Sequence, residues 1–299
     1  MMNYISHASK MTGRRLPVVR STLTMRALLT LSALFSLCTF SYVSAASNFV
    51  TPDGSSLAKT TIELPLQGVT LEYKANVRLL QVLDDANASG SIGYFPLSAQ
   101  LFDKTNTEDH ESNKAIEAKK RNVFNQLDAF SVEEPEAKLV KQQLVSFQYL
   151  NRVFIELDRN AVISQSDQNP LLVSSSNTNK QSSSQAQAFS LYLPQRSTSI
   201  QLMGAMKESV TMNLIEHGTL NDYLDALPNG FIGEAADKSV AYVVQPDGVV
   251  QTIQYAYWNE QPVYLAPGAV VFMAFYSLPS EYSTLNQDIV DLLRHKVGL

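Results

Sequence analysis

Cysteine is nearly missing from this chain. The 299 residues contain one, Cys38, so no intramolecular disulfide can form and no CxxC metal or redox pair exists. Histidine is scarce as well. His7, His110, His217 and His295 are the four, and none stands at HxxxH or HExxH spacing, which removes the helical zinc sites. Basic residues are outnumbered, 23 against 28 acidic, for a net charge of -5, and this balance argues against a nucleic-acid partner. GxSxG, GxGxxG and a His-centred triad are lacking too. Carboxylates do occur in pairs, Asp84-Asp85 and Glu133-Glu134, but adjacent residues point apart and cannot make the facing pair a glycosidase needs. No catalytic residue, cofactor or metal is therefore expected.

What is present is material for packed cores: 45% of the residues are hydrophobic, with 13 Tyr and 13 Phe. Residues 1–45 read as an export signal. They hold Lys10, Arg14, Arg15, Arg20 and Arg26 and no acidic residue, followed by the uncharged stretch from Ala27 to Ala46. Small residues at Val43-Ser44-Ala45 suit cleavage near Ala45, and either Met1 or Met25 can be the start. A membrane anchor is the alternative, but the apolar part is short for a span of roughly 20 residues. After cleavage, 18 basic and 28 acidic residues remain in 254. The mature chain would have no cysteine and rest on core packing alone. Past Ala46 no apolar run approaches 18 residues, so no membrane span is expected beyond the signal.

The periodicities describe an α+β chain. Thr60 to Leu64 and Val69 to Tyr73 alternate as strands. Asn76 is placed to cap a helix with Val77, Leu80 and Leu83 on its apolar face. Residues 107–150 read as a helical hairpin, with Ile116, Val123, Leu127 and Phe130 on one helix and Ala137, Val140, Leu144 and Phe147 on the other. Arg152 to Leu157 then reads as a strand with Val153, Ile155 and Leu157 on one face. Residues 173–188 form a Ser-rich linker or loop. Beyond it lie strands from Ala188 and Ser199, a third possible strand from Val210, and a helix capped by Thr219 with Asp222. A hairpin turns on Gln245-Pro246-Asp247-Gly248, and a buried central strand spans Ala269 to Phe275. The tail 279–299 reads as an amphipathic helix, with Tyr282, Leu285, Ile289, Leu292 and Leu293 in one stripe. Both halves repeat a strand–strand–helix–strands pattern. The expected architecture is two β-grasp (ubiquitin-like) domains, 58–172 and 189–277, the first interrupted by the hairpin. The tail helix is expected to dock on its own domain rather than on a partner or membrane.

One string of residues is recognisable. Ser239 to Gly248 with Pro246-Asp247-Gly248, then Ala256-Tyr257-Trp258-Asn259, Pro267-Gly268, and Leu285-Asn286 with Ile289-Val290 resemble the capsule biosynthesis GfcC family, encoded with group 4 capsule and exopolysaccharide genes of Gram-negative bacteria. Similarity extends over most of residues 58–299 and is weak in 58–150. The resemblance implies a periplasmic protein of two β-grasp domains, similar to the soluble ring domains (SLBB-like) of polysaccharide exporters, with no established enzymatic activity. Its partners would be a surface polysaccharide or polysaccharide-export proteins, and it would be a monomer. Glu260-Gln261-Pro262 stands where family members carry basic residues after Trp-Asn, which weakens an anion-binding role there.

Arg152 matches a family arginine implied to face a cavity, and Tyr94 with Phe95 aligns loosely with an aromatic pair. These three are the candidate ligand pocket, against the plain alternative of a paired surface arginine and core aromatics. Pro246, Asp247, Gly248, Trp258, Asn259, Pro267 and Gly268 are read as structural, with Trp258 packed and Asn259 closing a turn. The expectation is a non-catalytic accessory protein of polysaccharide assembly or export. A polysaccharide-modifying enzyme with an unrecognised site is the alternative, and a membrane pore built from the tail helix a third.

Overall fold

The computed structural model describes residues 60–91, 93–105, 111–174 and 186–299. The expected export signal and most of the Ser-rich tract lie outside them. The described chain is α+β: two five-stranded mixed sheets and six helices.

The first sheet begins with β1 (Thr60–Leu64) and β2 (Val69–Tyr73), antiparallel with Ile62 opposite Leu71. Alternation produced this hairpin as expected. Next comes α1 (Leu79–Ala88), which starts two residues later than the Asn76 cap implied. Residues 77 and 78 are held extended instead, because Arg78 bridges to Leu171 and the Leu79 N–H donates to Pro170 O. Asn76 accepts from Gln187 Nε2. The buried face is accordingly Leu79, Val82, Leu83 and Ala86.

Then follow β3 (Gln100–Asp103), the helical hairpin α2 (Glu111–Phe130) and α3 (Glu136–Val145), β4 (Arg152–Val153), α4 (Arg159–Ser164) and β5 (Gln187–Tyr192). The strand order is β2-β1-β5-β3-β4. β1 and β5 are parallel, Ile62 beside Phe189, and β3 runs antiparallel to β5, Leu101 opposite Leu191. A domain boundary at residues 173–188 is thereby corrected: Gln187–Tyr192 is the central strand of the first sheet, and the sheets change over between Tyr192 and Ser199.

The second sheet repeats the plan. β6 (Ser199–Gly204) and β7 (Val210–Asn213) pair, α5 (Leu220–Asp225) crosses, and β8 (Ala236–Val244), β9 (Val250–Gln254) and β10 (Val270–Phe275) complete the order β7-β6-β10-β8-β9. Again the first and last strands are parallel, Leu202 beside Val271. The Thr219 N–H donates to Asp222 Oδ2 at 2.7 Å, the cap read from the sequence. β10 is buried at every position, as its continuous apolar run requires.

Three cores result. Ile62, Leu83, Leu101 and Leu191 centre the first, beneath α1 and α4. Leu202, Tyr223, Val243 and Val271 centre the second, beneath α5. The third is unexpected: the hairpin inserted in the first sheet's sequence covers the other face of the second sheet. Val123, Leu127, Phe130, Val140 and Leu144 pack with Met203, Phe272 and Phe275 and with α6 (Leu285–Leu293). At about 1.5–3 kcal/mol for each large aliphatic side chain buried, this core commits the hairpin to the second lobe. Polar contacts reinforce it. Glu136 of α3 accepts the backbone N–H groups of Glu234 and Ala235 at 2.8 and 3.3 Å.

The helix of the tail ends at Leu293, short of the expected 299. Residues 295–297 run strand-like instead. Val297 N–H donates to Gln148 O at 2.9 Å and Leu150 N–H to His295 O at 3.1 Å. Gly298 N–H then donates to Gln100 Oε1 at 2.8 Å. The tail therefore ties the hairpin to the first sheet.

Candidate functional site

The two lobes meet at β4. Arg152 lies opposite Phe102 in the ladder, and the ladder stops at Val153, so the expected six-residue strand is two residues long. Period two continues regardless. Val153, Ile155 and Leu157 face the first core, which turns Arg152 and Phe154 to the opposite side, toward the second lobe. There the β8–β9 turn arrives, closed by Gly248 N–H to Gln245 O at 2.8 Å with Gly248 at φ +87°.

Arg152 is buried, 5% exposed. Its Nη2 donates to Pro246 O at 2.7 Å and, at 3.4 Å, to Ala99 O. Its Nη1 is shielded from solvent and has no hydrogen-bond partner among the described residues. The Phe154 ring contacts two guanidinium groups, 5.5 Å from Arg152 and 4.5 Å from Arg294, whose Nε donates to Gly248 O at 2.9 Å. Glycine is required at 248: a Cβ there would lie 2.6 Å from the Phe154 ring. Burial holds the Arg152 guanidinium down to about 10, with Asp247 opposing the shift and Arg294 adding to it.

His295 buttresses the arginine from behind. Its Nδ1 accepts the Arg152 backbone N–H at 3.2 Å, and its ring meets Phe154 edge-on at 5.6 Å. Burial first, then Lys119 and the two arginines, lowers His295 to about 4. The sign follows from that depression. Above the ordinary value of 6.5 the ring is neutral both folded and unfolded. As pH falls from there to about 4, only the unfolded chain takes the proton, so stability is lost over that window. The expected loss is about 2 kcal/mol, measured by urea titration at stepped pH. His295→Asn is expected to flatten that part of the profile; an unchanged slope would refute the assignment.

A cleft of about 890 Å³ opens here, lined by Phe95, Arg152, Phe154, Glu156, Asp158, Asp167 and Asp247 among others. Of the pocket candidates, Arg152 and Phe95 line it. Tyr94 does not: its hydroxyl donates to Leu157 O at 2.6 Å and accepts the Arg159 N–H at 3.3 Å, fastening α4. Two of the residues read as structural motifs also meet at this junction. Gly268 donates its N–H to Ser199 O at 2.8 Å and sits beside Pro246 and Ser98. Trp258 departs from expectation. It is 77% exposed beside the 98% exposed Tyr257, because Tyr255 and Leu265 fill the core positions there. Asn259 closes a turn through its N–H to Ala256 O at 2.9 Å.

Phe154, Arg294 and His295 were not singled out from the sequence. Period two from Arg152 could have flagged Phe154. Nothing local could have flagged the other two, which come from the far end of the chain. The described residues hold no cluster of His, Cys, Asp and Glu able to bind a metal, and none of their helices is long and apolar enough to cross a membrane.

The turn, the Trp-Asn loop and the Pro-Gly corner all fall inside one match to known proteins. Residues 208–298 match the family described as Capsule biosynthesis GfcC C-terminal. The resemblance read from the motifs thus holds over residues 208–298, from β7 through α6. A relative from Escherichia coli (strain K12), described as "Uncharacterized protein YjbG", is 39% identical over 64 residues, 21% of this chain. The match spans about a quarter of that relative's length, 26%. The capsule biosynthesis match thus covers the half of the junction that supplies Pro246, Asp247, Gly248 and Arg294.

Proposed function

We propose that this chain is a non-catalytic accessory protein of capsule or exopolysaccharide assembly or export, and that it holds glycan in the Arg152 cleft. The observation that carries the reading is a buried guanidinium with an unpartnered nitrogen in the wall of that cleft, beside a domain that matches a capsule biosynthesis family. A buried charged donor without an acceptor is costly, and an incoming oxygen relieves the cost. Such an oxygen reaches Nη1 by displacing Phe154, a ring 43% exposed. Phe95 and Phe154 offer faces on which a sugar ring can stack. On this reading both lobes are β-grasp domains, since each orders its strands second, first, fifth, third, fourth with the outer pair of the chain order parallel. Residues 1–45 direct export, the protein works as a periplasmic monomer, and α6 stays folded on its own chain.

The test is Arg152→Lys, which keeps the charge and removes the planar fork. Binding of the bacterium's own purified surface polysaccharide is expected to fall at least about tenfold, and surface polysaccharide to drop in cells carrying the variant. Undiminished binding and output from a variant with unchanged thermal unfolding would overturn the reading. New reducing ends or lost acyl groups after incubation with wild-type protein would replace it with an enzyme.

A further inference from the structure

We infer that the cleft takes uncharged sugar rings, reading their hydroxyls and rejecting uronates, and that Asp247 sets this selectivity. The inference rests on the glycan reading above and narrows it. An arginine in a pocket suggests a carboxylate ligand, but the lining as a whole points the other way. Four carboxylates, Glu156, Asp158, Asp167 and Asp247, line the cleft with one guanidinium. The nearby arginines do not change the balance: Arg196 stacks on Phe95 at 5.4 Å and Arg294 on Phe154 at 4.5 Å, and neither lines the cleft. A carboxylate ligand would meet like charge at the rim before reaching Arg152.

Asp247 is singled out by its placement. It is the one lining residue from the second lobe, exposed on the turn whose Pro246 carbonyl anchors Arg152. Its Oδ1 accepts the Val249 N–H at 2.8 Å, which fixes the side chain and leaves Oδ2 for a ligand. The two opposite charges are each held by backbone of the same turn, Arg152 Nη2 by Pro246 O and Asp247 Oδ1 by the Val249 N–H. A donor and an acceptor so held on one wall suit a pair of neighbouring hydroxyls. One hydroxyl accepts from the guanidinium while the next donates to the carboxylate.

The experiment titrates full-length mature protein with hexasaccharides of glucose, of N-acetylglucosamine and of galacturonic acid, in low and in 0.5 M salt, by calorimetry. Wild type is expected to bind at least one neutral hexamer more tightly than the uronate. Asp247→Asn, which retains the acceptor for Val249, is expected to bring the uronate up by roughly five- to tenfold at low salt, the gain shrinking at high salt. Asp167→Asn controls for general loss of rim charge and is expected to move the ratio less. Arg152-dependent preference of the wild type for galacturonate would overturn this inference and leave the glycan reading standing. So would a neutral-to-uronate ratio that Asp247→Asn does not move. Binding of none of the three would overturn both.

Discussion

Alanine at Gly204 is expected to cost at least about 3 kcal/mol and to lower the melting temperature by roughly 10 °C. Gly204 ends β6 at φ +114°, outside the reach of ordinary side chains. A Cβ there would lie 2.3 Å from Met273 O and 2.8 Å from Met273 N, both backbone atoms of the central strand β10. Backbone cannot step aside as a flexible side chain does, so the parallel β6–β10 pairing must open. That pairing carries the second lobe. Chemical denaturation of the purified mature chain measures the effect; a loss below about 1 kcal/mol would show that the strands relax with little strain.

Gln143→Leu is the second large effect, and it strikes the same place from the other side. Gln143 lies on α3, 8% exposed, with its amide aimed into the end of β6. Its Oε1 accepts the Gly204 N–H at 2.9 Å, and its Nε2 donates to Gly204 O at 3.1 Å and Met206 O at 3.2 Å. Leucine keeps the volume but strips the Gly204 N–H and Met206 O of their partner in a buried place, while Gly204 O keeps the Met206 N–H at 2.7 Å; the loss is on the order of 3 kcal/mol. Because both substitutions disturb one cluster, the double variant is expected to fall short of the sum. A simple sum would mean that the hairpin and the end of β6 are independent, and that the shared core is less cooperative than its packing implies. Hydrogen exchange would localise the damage: both variants are expected to speed exchange in α3 and β6 before β1 and β2.

These effects show where the sequence could be read and where it could not. Elements defined by local periodicity were legible. The alternation in Thr60–Leu64 and Val69–Tyr73 marked a hairpin to the residue. Helical spacing marked α2 and α3, and Pro246-Asp247-Gly248 marked a turn. The start of α1 was misread because Asn76, a good cap by composition, is taken by Gln187 of a strand over a hundred residues away. Gln187–Tyr192 was given to the wrong sheet because parallel pairing leaves no turn in the sequence to announce it. Trp258 was expected to pack on hydrophobicity alone, while Tyr255 and Leu265 supply the buried positions there.

The candidate site divides the same way. Motif resemblance pointed to Arg152 and to the Pro-Asp-Gly turn separately, one as a ligand group and the other as structure. That they touch, Nη2 to Pro246 O, is a contact between residues 94 apart.

From the order of residues alone came the classes of chemistry left out, the strands and helices with their own period, and the family motifs of the last third. Which sheet each strand joined, which lobe the hairpin covered and what stood beside Arg152 were settled by the folded chain. Periodicity is a property of neighbours a few bonds apart, whereas a cleft wall is chosen by whichever distant surfaces bury the most apolar area while leaving the fewest polar groups unpaired.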